Sequence, residues 1–229
     1  MNIHNKQIFQ KDYFTSHYFS TTGNFGISEL KRNKNWFYGW FRSLHDDFDF
    51  LQGNRRKVLE IGCAIGAASA ILAERGFDVT ATDISPYVIK KIQKLLPHLK
   101  CKELDIEDTV SIKNTYDLIF AFEVIEHLAN PKKAIENMYK MLKSGGTLIL
   151  STPYPYPFAL YSDKTHINIR YPFEWVYMLR KIGLSRIQYR HKTFIPFFYR
   201  ISKYFHFIFP FGIGNPYLNT PVFIIGQKS

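Results

Sequence analysis

The stretch "VLEIGCAIGAAS", residues 58–69, decides the fold class of this 229-residue chain. A short apolar strand pattern runs into a glycine-rich loop, and a helical pattern opens directly after the loop. In this context a glycine loop binds a nucleotide, because Gly62 and Gly66 let the backbone approach a ligand while the helix N-terminus offers free N–H groups. Glu60, at the end of the strand, could accept a hydrogen bond from a ligand amine.

Strand and helix patterns alternate regularly from this stretch onward, which predicts βαβ units and a parallel sheet with right-handed crossovers. Ser85 with Pro86, and Asn130 with Pro131, are typical of helix starts, and the second of these helices is expected to stop at its glycines. The predicted strands read "KVLEIG", "FDVTATD", "LKCKELD", "YDLIFAF", "GTLILSTP", "LSRIQYRHK" and "PVFIIGQKS", the last as a final edge strand.

Acidic residues follow the second and third predicted strands. Asp83 lies about 20 residues beyond the glycine loop, where a carboxylate hydrogen-bonds ribose hydroxyls. Asp105, or Asp108 if the register differs, is placed to receive an adenine amino group. A tight turn or a helix cap would explain any one of these features, but the three together indicate a nucleotide site.

At these motifs the chain resembles class I S-adenosylmethionine-dependent methyltransferases, in the ubiquinone-biosynthesis-like (methyltransferase type 11 or 23) group. The resemblance spans residues 55–185, with "VLEIGCAIG", "ATDIS", "LDIED", "YDLIFAFEVIEHL" and "MLKSGGTLILSTP" in order. It implies a Rossmann-like α/β fold, a seven-stranded sheet, mostly parallel with its last strand antiparallel, flanked by helices. A dinucleotide dehydrogenase is disfavoured, since no second mononucleotide-binding half follows.

The resemblance also implies the cofactor-binding residues. The methionine part would be held at the glycine loop, the ribose at Asp83, the adenine at Asp105 with Ile106, and the methyl-donor side would be lined by Phe122. One position departs from the family pattern: the middle glycine is Ala64, which is tolerable if its φ stays negative. The full predicted set is Glu60, Gly62, Cys63, Ala64, Gly66, Asp83, Ile84, Asp105, Ile106, Phe122 and Glu123.

The segment "FAFEVIEHLANP", residues 120–131, places Glu123, Glu126 and His127 after the fourth strand, beside the expected sulfonium. Three interpretations compete. The carboxylates and the imidazole could cap the next helix and bind the cofactor amine. His127 could act as a general base on a substrate hydroxyl. The three could instead be ligands of a divalent metal.

The metal interpretation gains from a second resemblance. The pattern E-x-x-E-H with a later histidine resembles the metal site of small-RNA 3′-terminal 2′-O-methyltransferases, and its first part that of magnesium-dependent ubiquinone O-methyltransferases. The implied ligands are Glu123, Glu126, His127 and His166, with Mg²⁺ as the expected ion. Glu126, His127 and His166 are then the candidate catalytic residues.

Composition limits the remaining possibilities. The two cysteines have no paired spacing, which suits a reducing cytosol. We expect no signal peptide at the N-terminus and no membrane-spanning segment. Net charge is +11, and Glu174 is the last acidic residue, so positive charge concentrates in the final quarter. This asymmetry favours an anionic partner, such as a membrane surface, a phosphorylated substrate or nucleic acid, over a merely soluble basic face.

The organisation predicted is an N-terminal helical cap over residues 1–52 and a methyltransferase domain over residues 53–229. That domain carries a basic, aromatic insertion at about 192–218, in which apolar residues from Phe194 to Phe209 recur near helical spacing. The insertion could be a buried core helix, an interfacial helix on an anionic membrane, or a base-stacking surface.

Together the patterns predict an S-adenosylmethionine-dependent methyltransferase, cytoplasmic and peripheral at the inner membrane face. It would methylate oxygen on a small or lipid-linked acceptor of cell-envelope glycan or quinone type. The alternatives are a metal-dependent RNA 2′-O-methyltransferase, disfavoured by the lack of an RNA-binding module, and a non-catalytic S-adenosylmethionine-binding subunit.

Overall fold

A computed structural model describes residues 8–15, 26–108, 111, 113–156, 163–195, 198, 201–205, 207–209 and 221–229. Its central element is a seven-stranded sheet of β1 Lys57–Ile61, β2 Asp78–Asp83, β3 Lys100–Glu103, β4 Tyr116–Phe122, β5 Leu142–Pro153, β6 Leu184–His191 and β9 Pro221–Lys228. The order of these strands across the sheet is β3-β2-β1-β4-β5-β9-β6. The strands β7 Thr193–Phe194 and β8 Ile208–Phe209 form a separate antiparallel pair.

Helices cover both faces of the sheet, as buried parallel strands require. They are α1 Lys11–Tyr13, α2 Ile27–Ser43, α3 Ala67–Glu74, α4 Pro86–Leu95, α5 Pro131–Met141 and α6 Pro172–Ile182, with a 3₁₀ turn at Ile125–His127. Because side chains alternate along a strand, neighbouring residues serve different cores. Val58 and Phe120 pack with Trp40 of α2, whereas Leu59 and Ala121 pack against the α5 and α6 side.

The helix starts follow the predicted capping chemistry. The side chain of Ser85 accepts from Val88 N, and that of Asn130 accepts from Lys133 N, each with proline at the first turn. The predicted glycine stop of α5 is wrong: the helix ends at Met141 and β5 begins at Leu142. The glycines fall inside β5, where pairing with β4 shifts register and a Cβ on residue 146 would come within 3.0 Å of backbone oxygens.

The predicted edge position of the last strand is also wrong. β9 lies between β5 and β6 and pairs antiparallel with both, while β6 forms the edge. Its residues Val222, Phe223, Ile224 and Ile225 are all buried, which is the pattern of an interior strand. The predicted antiparallel orientation is confirmed, and so is the fold class.

The described part of the C-terminal insertion does not form the predicted helix. Residues 193–194 pair with residues 208–209 as strands, and Phe198, Ile201, Phe205 and Phe207 are exposed rather than buried in a core. The rest of the predicted periodic segment lies outside the described residues. Within the described residues, no helix is long and apolar enough to cross a bilayer. The division into an N-terminal cap and a methyltransferase domain stays a prediction.

Candidate active site

A cleft opens at the carboxyl ends of β1, β2 and β4, where open α/β sheets bind ligands. Most of the residues predicted to hold the cofactor line this cleft. Those that do are Gly62, Ala64, Asp83, Ile84, Asp105, Ile106 and Glu123. The sequence left open whether Asp105 or Asp108 follows β3 into the cleft. The structure places Asp105 there.

The loop after β1 has the backbone shape that the glycine pattern predicts. Gly62 and Gly66 have φ of 71° and 76°, and a Cβ on Gly62 would lie 2.4 Å from the side chain of Val124. Ala64 also has a positive φ, 44°, so the expectation of a negative φ at this position is wrong. An L-residue is strained in this region, and such strain is found preferentially at ligand-binding loops.

Asp83 holds the loop in place from β2. Its Oδ2 accepts from Ala64 N at 3.1 Å and its Oδ1 accepts from Ser85 N at 2.9 Å. Burial raises the pKa of Asp83 to about 6, although these backbone hydrogen bonds act to lower it. The carboxylate therefore braces the loop while it lines the cleft, and its contact with a ribose stays a prediction.

Three predicted cofactor residues do not form part of the cleft wall. Glu60 is buried, and its Oε2 accepts from both the backbone N and the hydroxyl of Ser69 at the start of α3. Burial raises the pKa of Glu60 to about 8. Cys63 contributes backbone bonds, accepting from Gly66 N and donating to Thr82 O. Glu60, Cys63 and Gly66 are thus placed to shape the loop.

Phe122 does not lie where the resemblance placed it. Its ring is stacked at 6.1 Å from Phe37 and lies 5.0 Å from Trp40, inside the core under α2. Alternation along β4 explains the difference, because Phe122 follows Phe120 onto the α2 face of the sheet. The cleft wall at the end of β4 is formed by Glu123 and Val124 instead.

Glu123 ends β4 with a strained backbone. Its φ is 54°, and its N–H lies 3.0 Å from the Ser151 hydroxyl oxygen and 3.2 Å from the Ser151 carbonyl. The Ser151 hydroxyl in turn donates to Glu123 Oε1 at 2.7 Å. Burial raises the pKa of Glu123. Strain supported by a neighbouring strand in this way is typical of functional sites.

Glu126, His127 and His166 come together beside Glu123. One ligand atom from each lies within 4.8 Å of the others, and the two imidazole centroids are 4.7 Å apart. Glu126 is fully buried, and neither carboxylate oxygen has a hydrogen-bond partner among the described residues. The structure brings three of the four predicted ligands into this cluster; Glu123 lies outside it, with its Oε1 accepting from the Ser151 hydroxyl, and its role as a ligand stays a prediction.

The pKa of Glu126 is raised well above its ordinary value. Burial is the main cause of this rise in pKa. The neighbouring Glu123 carboxylate adds to it. Two carboxyl groups this close and this buried disfavour simultaneous ionisation, so the pair has a strong affinity for a proton or another cation.

A loop over residues 163–168 delivers His166 to the cluster. The Glu126 carbonyl accepts from both Ile167 N and Asn168 N, at 2.9 and 2.8 Å, which fixes the loop to the 3₁₀ turn. The same loop places the Thr165 hydroxyl 2.9 Å from His127 Nδ1. These contacts hold the loop against the cluster.

Three N-terminal aromatic residues also belong to the site, and no pattern in the sequence predicted them there. Phe9, Tyr13 and Phe14 line the cleft, and the Phe9 ring lies 5.3 Å from the His127 ring. Burial, and next the Asp163 carboxylate, raise the pKa of Tyr13 above its ordinary range. Phe9 precedes α1, which begins at Lys11 after an extended Gln10, so no helical spacing in the sequence links Phe9 to Tyr13.

Comparison with known proteins agrees with this geometry. A family model described as a methyltransferase domain matches residues 33–198. A ubiquinone biosynthesis O-methyltransferase of Pseudomonas savastanoi pv. phaseolicola is 29% identical over 123 residues, covering 50% of this chain and 53% of that protein. Phosphoethanolamine N-methyltransferase 3 of Arabidopsis thaliana is 29% identical over 150 residues, covering 60% of this chain and 30% of that protein.

The chain thus spans about half the length or less of these curated relatives. Among solved structures, a SAM-dependent methyltransferase from Archaeoglobus fulgidus superimposes with a TM-score of 0.65 at 17% identity, covering 93% of this chain and all of that one. At that identity the likeness shows the fold. The family model covers most of the chain, and the chain therefore belongs to the methyltransferase-domain family.

Proposed function

We propose that the chain transfers the methyl group of S-adenosylmethionine to an oxygen of a small or lipid-linked acceptor. The observation that carries this proposal is the position of His127, which lines the cofactor cleft beside the buried Glu126 and the half-buried His166. Methyl transfer from a sulfonium is an in-line displacement, which needs an aligned acceptor atom and little further activation. Removing the proton from a hydroxyl is the harder task, and an imidazole at the cleft suits it.

Different residues of the cleft would bind different parts of the cofactor. Asp83 and Asp105 would hold the ribose and adenine, with Ile84 and Ile106 packing beside them. The glycine loop would take the methionine part, and Glu123 is the carboxylate best placed for its amine. Phe9 and Phe14 would exclude water, which strengthens the electrostatic interactions inside the cleft.

The cluster also fits a divalent cation. Both carboxylate oxygens of the buried Glu126 lack a hydrogen-bond partner among the described residues, and two imidazoles lie beside them. A bound cation would compensate this buried carboxylate. Two nitrogen donors suit an ion such as Mn²⁺ or Zn²⁺ better than the Mg²⁺ expected from the sequence, since Mg²⁺ prefers oxygen. A cation bound there would lower the pKa of a hydroxyl beside it.

A quinone-type phenol is the acceptor class that the O-methyltransferase relatives support, with a cell-envelope glycan as the other lipid-linked candidate. N-methylation of phosphoethanolamine is the second candidate, supported by the plant relative. A polyprenyl catechol and phosphoethanolamine should be offered with S-adenosylmethionine, and products identified by mass spectrometry. The proposal predicts that the catechol is methylated and that this rate falls at least tenfold in His127→Ala. The exposed-surface control His98→Ala should keep the wild-type rate. Methylation of the amine alone would overturn the assignment of oxygen as the acceptor atom.

Metal use is tested separately. With a catalytic metal, excess chelator abolishes turnover, Mn²⁺ restores it, and Glu126→Gln lowers affinity for Mn²⁺. Full turnover in chelator would rule the metal out and leave His127 as general base. Binding of cofactor without turnover on any acceptor, including RNA 3′ ends, would favour the non-catalytic alternative.

Membrane association is a further part of the proposal. Ile201 and Tyr204 are 72% and 73% exposed, and Lys203 lies over the rings of Tyr38 and Tyr204. Exposed apolar and basic side chains together favour an anionic membrane surface, near a lipid-linked acceptor. Flotation with anionic vesicles should carry the wild type and lose Ile201→Ser/Phe205→Ser; equal flotation of both would contradict this assignment.

A further inference from the structure

His127 has a second set of contacts on the side away from Glu126. Its Nδ1 lies 2.9 Å from the Thr165 hydroxyl and 3.2 Å from the Thr165 carbonyl oxygen. The same hydroxyl donates to Asp163 Oδ1 at 2.7 Å, and that oxygen also accepts from Thr165 N at 2.8 Å. Asp163, Thr165 and His127 therefore form a continuous hydrogen-bonded chain that ends on one ring nitrogen.

The chemistry of these groups determines which histidine nitrogen carries the proton. A threonine hydroxyl has one proton, and here that proton is directed to the Asp163 carboxylate, so only its lone pairs face His127. The Thr165 carbonyl is an acceptor under all conditions. A lone pair on Nδ1 would face two acceptors at hydrogen-bond distance, whereas an Nδ1–H satisfies them.

The state of Asp163 supports the same direction. Its Oδ1 accepts from both the hydroxyl and the backbone N of Thr165, so the carboxylate faces Thr165 as an acceptor. An ionised carboxylate is the stronger acceptor for the Thr165 proton, and so keeps that hydroxyl from turning toward His127.

We propose that Asp163 and Thr165 are positioning residues that hold His127 as the Nδ1–H tautomer, with the lone pair on Nε2. In that tautomer the basic nitrogen is the one 3.9 Å from Glu126 Oε1, on the side of the cluster. The inference rests on the proposed function only in the use of that lone pair, to take an acceptor proton or to bind a cation; the tautomer itself is a property of the protein alone. Partners of this kind, one step removed from the reacting group, orient histidines in many sites.

The tautomer can be read directly. Two-bond ¹H–¹⁵N correlation spectra of the ¹⁵N-labelled protein at pH 8 distinguish a protonated from an unprotonated ring nitrogen, and signals lost in His127→Gln assign the residue. The expected result is a protonated Nδ1 and an unprotonated Nε2 in the wild type. Thr165→Val keeps the β-branched shape without the hydroxyl and should shift the population toward Nε2–H, and Thr165→Ser should restore it.

The same variants separate positioning from a structural role. Loss of one hydrogen bond to the imidazole is expected to lower kcat by about tenfold in Thr165→Val, with unchanged affinity for S-adenosylhomocysteine and recovery in Thr165→Ser. A wild-type Nε2–H tautomer, or identical spectra for wild type and Thr165→Val, would overturn the inference. An Nδ1–H tautomer in a protein that binds no S-adenosylmethionine would contradict the proposed function while supporting this inference.

Discussion

Glu60 is buried behind the glycine loop, where it joins the end of β1 to the start of α3 through Ser69. Its pKa, raised by burial to about 8, lies far above that of the same side chain in an unfolded chain. The folded protein therefore binds this proton more tightly than the unfolded protein does. Between pH about 4.5 and 8 the unfolded chain has lost the proton and the folded chain has kept it, so stability falls as pH rises through this window.

Glu60→Gln should remove this pH dependence, because the amide cannot ionise and its oxygen can still accept from Ser69. We expect wild type to lose on the order of 3 kcal/mol more unfolding free energy than the variant between pH 5 and pH 8. Urea unfolding at both pH values measures the difference, with the exposed Glu103→Gln as control. Parallel pH profiles for wild type and Glu60→Gln would show that the buried carboxyl does not have this role.

For single residues, the sequence predicted which acids belong to the site but not the contacts that each acid makes. Glu60, Asp83 and Asp105 were recognised from position alone, because strand ends fix where acids can lie. The hydrogen bonds of Glu60 to Ser69 could not be predicted, since they depend on how α3 is oriented on β1. The positive φ of Ala64 likewise appears only once the loop is built.

At the scale of elements, the N-terminal segment over residues 8–15 is the least expected part of the site. Phe14 is buried against Cys63, Ala64 and Ile89, so the segment packs directly on the cofactor loop and α4. The sequence indicated helices packing on the following domain but not which surface they cover. That surface depends on long-range packing and leaves no local pattern.

Removing the rings that face the cleft should weaken cofactor binding. Phe9→Ala/Tyr13→Ala exposes the cleft to water, and we expect the dissociation constant for S-adenosylhomocysteine to rise about tenfold from the lost apolar cover. Titration calorimetry measures it, and Phe173→Ala/Tyr177→Ala on the exposed face of α6 is the matched control. Unchanged affinity in the first variant would mean that the segment does not cover the bound cofactor.

For the whole molecule, the sheet is completed by the end of the chain. β9 separates β5 from β6, and Phe223 reaches the α2 core, 4.9 Å from Trp40 and 5.9 Å from Phe122. The parallel order of the earlier strands followed from strand–helix alternation. The interior place of β9 was not predicted, although its unbroken apolar run is the pattern of a strand buried on both faces.

Phe223→Ala should therefore destabilise the whole fold. The side chain is fully buried, and truncating such a ring costs about 3–5 kcal/mol. Chemical denaturation should show one cooperative transition at lower denaturant, whereas Tyr189→Ala on the exposed face of β6 should change little. A loss below about 1 kcal/mol would indicate that β9 is dispensable to the sheet.

The measurement that tests the account most directly is calorimetric titration of S-adenosylhomocysteine into wild type, Asp105→Ala and Asp78→Ala. Asp105 lines the cleft, whereas Asp78 pairs with Lys100 on the surface away from it. The account predicts one site in the wild type, affinity at least about tenfold weaker in Asp105→Ala from loss of a charged hydrogen bond, and wild-type affinity in Asp78→Ala. Absence of binding to the wild type, or equal affinity in all three proteins, would contradict it.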